Sequence, residues 1–199
     1  MINSIEGRLA EKTPTYAIIE CNGIGYFLNI SLNTFSVLGE VNQNCRLFTH
    51  LAIKTEATTP VGLSLYGFHS VKEREVFLHL ISVSGVGSNT ARLIISSLTA
   101  DDVVAAILNG NVGLFQSVKG IGGKTAQKII IDLRDKIGKA GVQGDILSTP
   151  HNTNREEALS ALILLGFSRN PAEKALERIM KTEPALGVEQ LIKQALKIL

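Results

Sequence analysis

Two short stretches of the chain carry the residue types that bind phosphate. Residues 118–133 read VKGIGGKTAQKIIIDL, where Gly120 and Gly122 bracket Ile121, and Lys124 and Thr125 open an apolar-periodic run. Glycine admits positive φ and lets the main chain come close to another molecule. The first N–H groups of a helix have no internal partners, and together with the helix dipole they attract an anion. The same text occurs 35 positions earlier. Residues 81–98, ISVSGVGSNTARLIISSL, match residues 116–133, QSVKGIGGKTAQKIIIDL, at Ser82/Ser117, Val83/Val118, Gly85/Gly120, Gly87/Gly122, Thr90/Thr125, Ala91/Ala126, Ile94/Ile129, Ile95/Ile130 and Leu98/Leu133. Self-similarity at a fixed offset is an internal duplication.

Other glycine motifs fit less well. In a P-loop the first glycine would fall on Val118, so Gly123-Lys124-Thr125 supplies only the end of that motif. In a dinucleotide fingerprint Thr125 stands where the third glycine belongs, and the text before the turn is helical rather than strand-like. Two helix–helix turns without a ligand are the remaining alternative, and the duplication weighs against it. A hairpin with apolar Val86 or Ile121 at its tip, opening into a helix, resembles the helix-hairpin-helix motif of non-sequence-specific DNA binding. Two in tandem would hold two nearby backbone phosphates.

These hairpins sit in a chain of 199 residues with 45% hydrophobic content, enough for one domain or two to three small ones. The formal net charge is only +2, so binding to nucleic acid must come from placed groups rather than from bulk charge. Residues 66–138 hold eight Lys/Arg against six Asp/Glu, whereas residues 1–65 hold four against five. The basic excess accompanies the duplicated motif. No apolar run reaches the length of a membrane span, and the N-terminal text lacks an apolar leader core, so a cytoplasmic protein without membrane contact is expected. Cys21 and Cys45 lie in strand-like text without a C-x-x-C partner, and His50, His69, His79 and His151 are scattered, so buried thiols and no metal site are expected.

Residues 2–68 read as short strands separated by turns. Asn22-Gly23 is a favourable hairpin dipeptide within TYAIIECNGIGYFLNI, and CRLFTHLAIKTEA pairs with VGLSLYGF across Thr58-Thr59-Pro60. SLNTFSVLG between the pairs suits one short helix with Ser31 or Asn33 as N-cap and Gly39 at its end. Such a set suggests a small closed barrel of the OB type. From Ser70 the apolar period changes to about 3.6. Ser70 caps VKEREVFLHLIS; Thr99 and Asp102 have capping-box spacing for DDVVAAILNG, which Gly110 closes. The helix leaving the second hairpin runs to Gly138. Residues 138–153, GKAGVQGDILSTPHNT, read as a flexible linker. Beyond it, Thr153 and Glu156 can cap one helix, Asn170 and Pro171 open a second, and Val188, Leu191, Ile192, Ala195 and Leu196 stripe a third. The expected fold class is therefore α+β and multidomain: barrel 1–68, tandem helix-hairpin-helix domain 69–138, linker 139–153 and a three-helix, UBA-like module 154–199.

With barrel, tandem hairpins, linker and three-helix module in this order, the whole chain resembles the RuvA family, the DNA-binding subunits of the bacterial Holliday-junction branch-migration complex. IEGRL near the start, GIGYF at 24–28, LYGF at 65–68, the two hairpins and ALSALILLGF near the end carry the resemblance. It implies no cofactor and no catalysis. It implies a homotetramer, with an octamer left open, that holds a four-way junction open and square-planar, and partnership with the hexameric RuvB ATPase and, in a larger complex, the RuvC resolvase. Matched hairpin to hairpin, Gly85, Val86 and Gly87, with Asn89 and Thr90, and then Gly120, Ile121 and Gly122, with Lys124 and Thr125, would meet phosphates and read no base sequence.

Two departures from the family pattern stand out. Its negative pin of two adjacent acids at a barrel hairpin corresponds here to Lys54-Thr55-Glu56, followed by a longer ATTPVG loop, so Glu56 alone remains as pin acid, flanked by basic Lys54. A carboxylate near converging phosphates repels them by about 1 kcal/mol per pair at contact distance in water; the alternative is a solvated loop-tip Glu. Second, the lysine that family members often carry after the first hairpin's glycines is Ser88-Asn89 here, so the second hairpin is expected to carry more of the salt-dependent affinity. In the last module Leu162, Leu165, Phe167 and Leu176 are candidates for docking the motor, the alternative being that each is simply core. An enzyme reading would need clustered carboxylates; Asp132 and Asp135 share a helix but are expected to pair with Lys128 and Lys136. A general structure-selective DNA-binding adaptor would have almost the same sequence requirements.

Overall fold

The computed structural model describes the backbone of residues 2–56, 59–141, 150–183 and 186–199, and the side chains of the same residues apart from 54–56, 59–61, 138–141 and 150–153. Residues 2–141 belong to one compact unit and the residues from 150 onward to a second, and each is described by itself.

The first unit begins with five strands, β1 (Ser4–Lys12), β2 (Tyr16–Cys21), β3 (Ile24–Ile30), β4 (Asn44–Glu56) and β5 (Thr59–Phe68), closed in the order β1-β2-β3-β5-β4. Every pairing is antiparallel except β3 with β5. Asn22 and Gly23 turn the β2–β3 hairpin with φ of 49° and 81°, the two positive values that a two-residue turn of this hand requires. Alternation along the strands puts Ile5, Leu9, Ala17, Ile19, Leu28, Ile30 and Leu47 inside the barrel. The β4–β5 ladder reaches Glu56 opposite Thr59, so Thr59 and Pro60, expected in the connection between the strands, are strand. The short helix α1 (Leu32–Val37) is capped by Ser31, whose side chain accepts from the Thr34 amide; it stops at Leu38, one residue before the expected Gly39.

Helices α2 (Val71–Ile81), α3 (Ser88–Ser97), α4 (Ala100–Asn109), α5 (Val112–Gln116) and α6 (Gly123–Gly141) complete this unit. Ser70 caps α2 as expected, and the Thr99–Asp102 capping box opens α4, where hydrogen bonds from Thr99 hold the Asp102 carboxyl below the usual carboxylate range. Gly110 closes α4 at φ 68°. The buried faces of these helices form one apolar cluster, which Tyr66 and Phe68 of β5 join by packing tilted rings against Phe77 at 5.1 and 4.9 Å between centroids. Barrel and helices therefore share a continuous apolar seam.

A buried carboxylate crosses that seam. Glu73 of α2 is 1% exposed and accepts from the hydroxyls of Ser31 and Thr34 (2.6 Å for Thr34), while His69 offers its amide at 3.2 Å and its Nδ1 at 2.7 Å. A buried polar group is costly unless it is hydrogen-bonded, and four contacts satisfy this one.

In the second unit, α7 (Pro150–Leu164), α8 (Arg169–Thr182) and α9 (Val188–Ala195) pack around Leu159, Leu162, Leu176, Ile179 and Leu191. Two expected starts are corrected. Helix α7 begins at Pro150, before Thr153, and α8 begins after Ser168, so Asn170 and Pro171 lie inside its first turn. Of the expected linker, 139–141 belong to α6 and 150–153 to α7; the stretch 142–149 lies outside the described residues.

Candidate nucleic-acid interface

The duplication survives hydrogen bond by hydrogen bond. In the first hairpin the Ser82 amide donates to Leu78 O at 3.2 Å, Val83 to Leu80 O at 3.1 Å, Val86 to Val83 O at 3.0 Å and Ala91 to Gly87 O at 2.9 Å. In the second, Ser117 donates to Gly113 O at 3.1 Å, Val118 to Phe115 O at 3.2 Å, Ile121 to Val118 O at 3.0 Å and Ala126 to Gly122 O at 3.0 Å. Gly85 and Gly120 hold matching φ values of 94° and 89°, a conformation that side-chain-bearing residues rarely adopt.

The middle residue of each tip corrects an expectation. Val86 and Ile121 are 4% and 6% exposed, their side chains belong to the core, and their amides are already bonded inside the turn. They hold the hairpins shut and do not offer main-chain donors. Among the described residues, no protein group takes the amides of Gly85, Gly87, Ser88, Asn89 and Thr90, or of Gly120, Gly122, Gly123, Lys124 and Thr125. Each hairpin thus gathers a set of unpaired N–H groups at a helix start, the arrangement that suits an anion.

Gly87 and Gly122 lack the positive φ of their neighbours, and a Cβ on either would touch nothing within 4 Å. Neither backbone strain nor crowding within the chain asks for glycine there. What a methyl group would obstruct is the approach of another molecule to the amides.

Charge separates the two hairpins. Asn89 and Lys124 occupy equivalent positions in α3 and α6, and both are exposed. The same offset puts exposed Lys119 opposite Ser84 and exposed Lys128 opposite Leu93. The duplication held the signal for Lys119 and Lys128, because the second copy gains a lysine at each of three aligned positions. Among the described residues these three lysines have no salt bridge; Lys136, expected beside Asp132 or Asp135, instead donates to Ser82 Oγ at 3.2 Å.

Anchoring separates them as well. Helix α3 is bonded to the barrel along its length. Tyr66 donates to Asn89 Oδ1 at 3.3 Å, Arg92 to Thr15 O at 3.0 Å, and Asn33 Nδ2 to the carbonyls of Ile95 and Leu98 at 2.7 and 2.9 Å, while the Leu32 amide donates to Ser96 Oγ at 3.1 Å. No hydrogen bond joins α5 or α6 to the barrel among the described residues.

The side chains of Lys54 and Glu56 lie outside the described residues; the backbone puts Glu56 at the end of β4. In the second unit Leu162 and Leu176 are fully buried, which removes both from any docking surface, and Phe167 packs half-buried on the same core. Leu165 is exposed, and so is its neighbour Leu164, at 88%, which the apolar pattern did not single out. Among the described residues no group of three or more His, Cys, Asp or Glu is placed to hold a metal ion, and no helix is long and apolar enough to cross a membrane.

Comparison with known proteins agrees with this layout. Residues 1–67 match the RuvA N-terminal domain, residues 77–135 a SAM-like helix-hairpin-helix tandem, and residues 153–199 the RuvA C-terminal domain. The chain is 50% identical over 197 residues to a protein of Christiangramia forsetii and 49% identical over 197 residues to one of Flavobacterium psychrophilum, covering 99% of each chain in both cases. It is 44% identical over 204 residues to one of Cytophaga hutchinsonii, covering both chains completely. Each of these relatives is described as the Holliday junction branch migration complex subunit RuvA. With relatives this similar over full length, and with barrel, duplicated hairpins and terminal helices in the family's order, the chain belongs to the RuvA family.

Proposed function

We propose that this chain is the non-catalytic DNA-binding subunit of a cytoplasmic branch-migration complex. It grips the backbone phosphates of a four-way junction through its two hairpins, keeps the junction open and square-planar, and brings the hexameric RuvB ATPase to it through the C-terminal helices. The observation that carries this reading is the pair of turns with the same internal hydrogen bonds and the same sets of unpaired amides. Two phosphate grips within one compact unit recognise backbone geometry and carry no base information.

The donors are the amides of Gly85, Gly87, Asn89 and Thr90 in the first hairpin and of Gly120, Gly122, Lys124 and Thr125 in the second. The Asn89 carboxamide and the Lys124 ammonium add to them. Glu56, ending the long β4–β5 hairpin, is the acid that repels phosphates near the crossover. Four copies around one junction give each arm its own pair of hairpins, with a second tetramer on the opposite face and the RuvC resolvase as later arrivals. Leu165 with Leu164 forms the motor-facing surface of the C-terminal helices. ATP hydrolysis and the work of translocation belong to RuvB.

Titration against a fixed four-way junction and a duplex of matching arm sequence, at one salt concentration with EDTA present, tests the reading. A strong preference for the junction is the expected result. Equal binding to both would keep the hairpins as phosphate grips and make the chain a general DNA-binding adaptor.

A further inference from the structure

The first hairpin has Asn89 where the second has Lys124, and a tyrosine of the barrel is bonded to that asparagine. Tyr66, on β5, is 2% exposed, and its ring packs on Phe77 within the seam between barrel and helices. Its hydroxyl emerges against α3. Among the described residues, the Asn89 side chain has one hydrogen-bond partner, this hydroxyl, which donates to Asn89 Oδ1 at 3.3 Å.

A carboxamide has two ends of opposite character, an oxygen that accepts and an NH2 group that donates. On an exposed helix start, a free asparagine can turn either end outward, and the oxygen would repel a phosphate. Holding the oxygen on the barrel side leaves the NH2 group, which has no partner among the described residues, to serve the helix start that carries the unpaired amides of Gly87, Ser88 and Thr90. We infer that Tyr66 is a positioning residue for the first hairpin, fixing Asn89 with its amino group toward the phosphate so that a neutral side chain serves where Lys124 serves in the second. The inference rests on the phosphate-grip reading above. It ties a buried residue of the barrel to the affinity of a hairpin 23 residues away in sequence.

Full-length Tyr66→Phe, Asn89→Ala and the double variant would be titrated against the four-way junction at several salt concentrations, with melting temperatures measured alongside. Phenylalanine keeps the ring in the seam and removes only the hydroxyl. The expected result is a loss of about three- to tenfold in junction affinity for Tyr66→Phe, with no change in the slope of log K against log salt, since no charge is lost. The double variant should bind no more weakly than Asn89→Ala alone, because the hydroxyl has nothing left to orient. If Tyr66→Phe costs as much in the Asn89→Ala background as in the parent, the hydroxyl acts through the fold and the inference is overturned. If Asn89→Ala weakens binding and Tyr66→Phe does not, the inference fails while the phosphate-grip reading stands. If neither Asn89→Ala nor Lys124→Ala changes binding, the grip reading itself fails and takes the inference with it.

Discussion

The two hairpins have the same backbone and opposite dependencies. The first is seated on the barrel by hydrogen bonds from Tyr66, Arg92 and Asn33 and presents Ser84, Asn89 and Leu93; the second has no such seat and presents Lys119, Lys124 and Lys128. On the proposed reading the first derives its grip from being held in place and the second from charge. An uncharged donor is useful only where it is accurately aimed, because a hydrogen bond weakens steeply with misalignment. An ammonium on a flexible stem tolerates error. Duplication followed by this division gives one unit a hairpin fixed in position relative to the barrel and another that carries exposed lysines.

The largest expected effect acts on the seat through α1, which carries Asn33 and whose Thr34 is bonded to Glu73. Glu73→Ala takes the buried acceptor from the hydroxyls of Ser31 and Thr34 and leaves the His69 amide with Thr34 Oγ1 alone, at a cost of about 2 kcal/mol. The loss should be uneven. The amides of Val86 and Ile121 make equivalent hydrogen bonds of 3.0 Å, so their hydrogen-exchange rates form a matched pair of reporters. Exchange at Val86 should accelerate more than at Ile121. Equal acceleration would mean that the seat has no energetic meaning beyond the shared core.

Next come the glycines, which separate turn formation from contact. Gly85→Ala and Gly120→Ala force a side chain into positive φ and should each destabilise the chain by about 1 kcal/mol or more. Gly87→Ala and Gly122→Ala have room and no positive φ, so thermal unfolding should change by no more than the roughly 0.5–1 kcal/mol that alanine costs at a helix N-cap. Junction affinity should nevertheless fall about tenfold or more, since the added methyl holds the phosphate off the amides. Gly122→Ala that binds like the parent would show that no close approach occurs there.

Smaller again is the charge effect. Lys124→Ala should reduce the slope of log K against log salt by roughly one unit per subunit contact, and Asn89→Ala should leave it unchanged. Matching slopes for the two variants would erase the distinction between a held hairpin and a charged one.

How far the sequence foretold this arrangement depends on the range of the interactions involved. The offset of 35 between Gly85 and Gly120, the Ser70 and Thr99 caps and the Asn22-Gly23 turn are local chemistry, and each stands where the text puts it. The seat was not legible, because Glu73 takes its partners from residues 39 and 42 positions away, across a change from strand to helix period. Nor could spacing separate Val86 and Ile121 from their glycine neighbours as donors, since that depends on which amide the turn consumes. In the run from Leu162 to Leu165 every residue is apolar, and periodicity alone does not say that Leu162 faces the core while Leu164 and Leu165 face outward.

The smallest effect also bears on the seam beneath the first hairpin. His50 lies on β4 opposite Tyr66 and packs its ring 5.7 Å from Phe77, with no partner for Nδ1 among the described residues. Burial, and then the Arg74 guanidinium on α2, hold its imidazole below the ordinary value near 6.5. The packed form is therefore the neutral one. A base whose folded-state pKa is depressed contributes stability that is present above the unfolded value and lost as pH falls through the folded one. Melting temperature should accordingly drop as pH is lowered from about 7.5 toward 5.5, by about one or two degrees for this residue's share. His50→Gln, which cannot titrate, should remove that share. Because the seam lies under α3, the same descent in pH should speed exchange at Val86 more than at Ile121. A melting profile in His50→Gln identical in slope to that of the parent would release His50 from the seam and leave the first hairpin's seat to Glu73 and Tyr66.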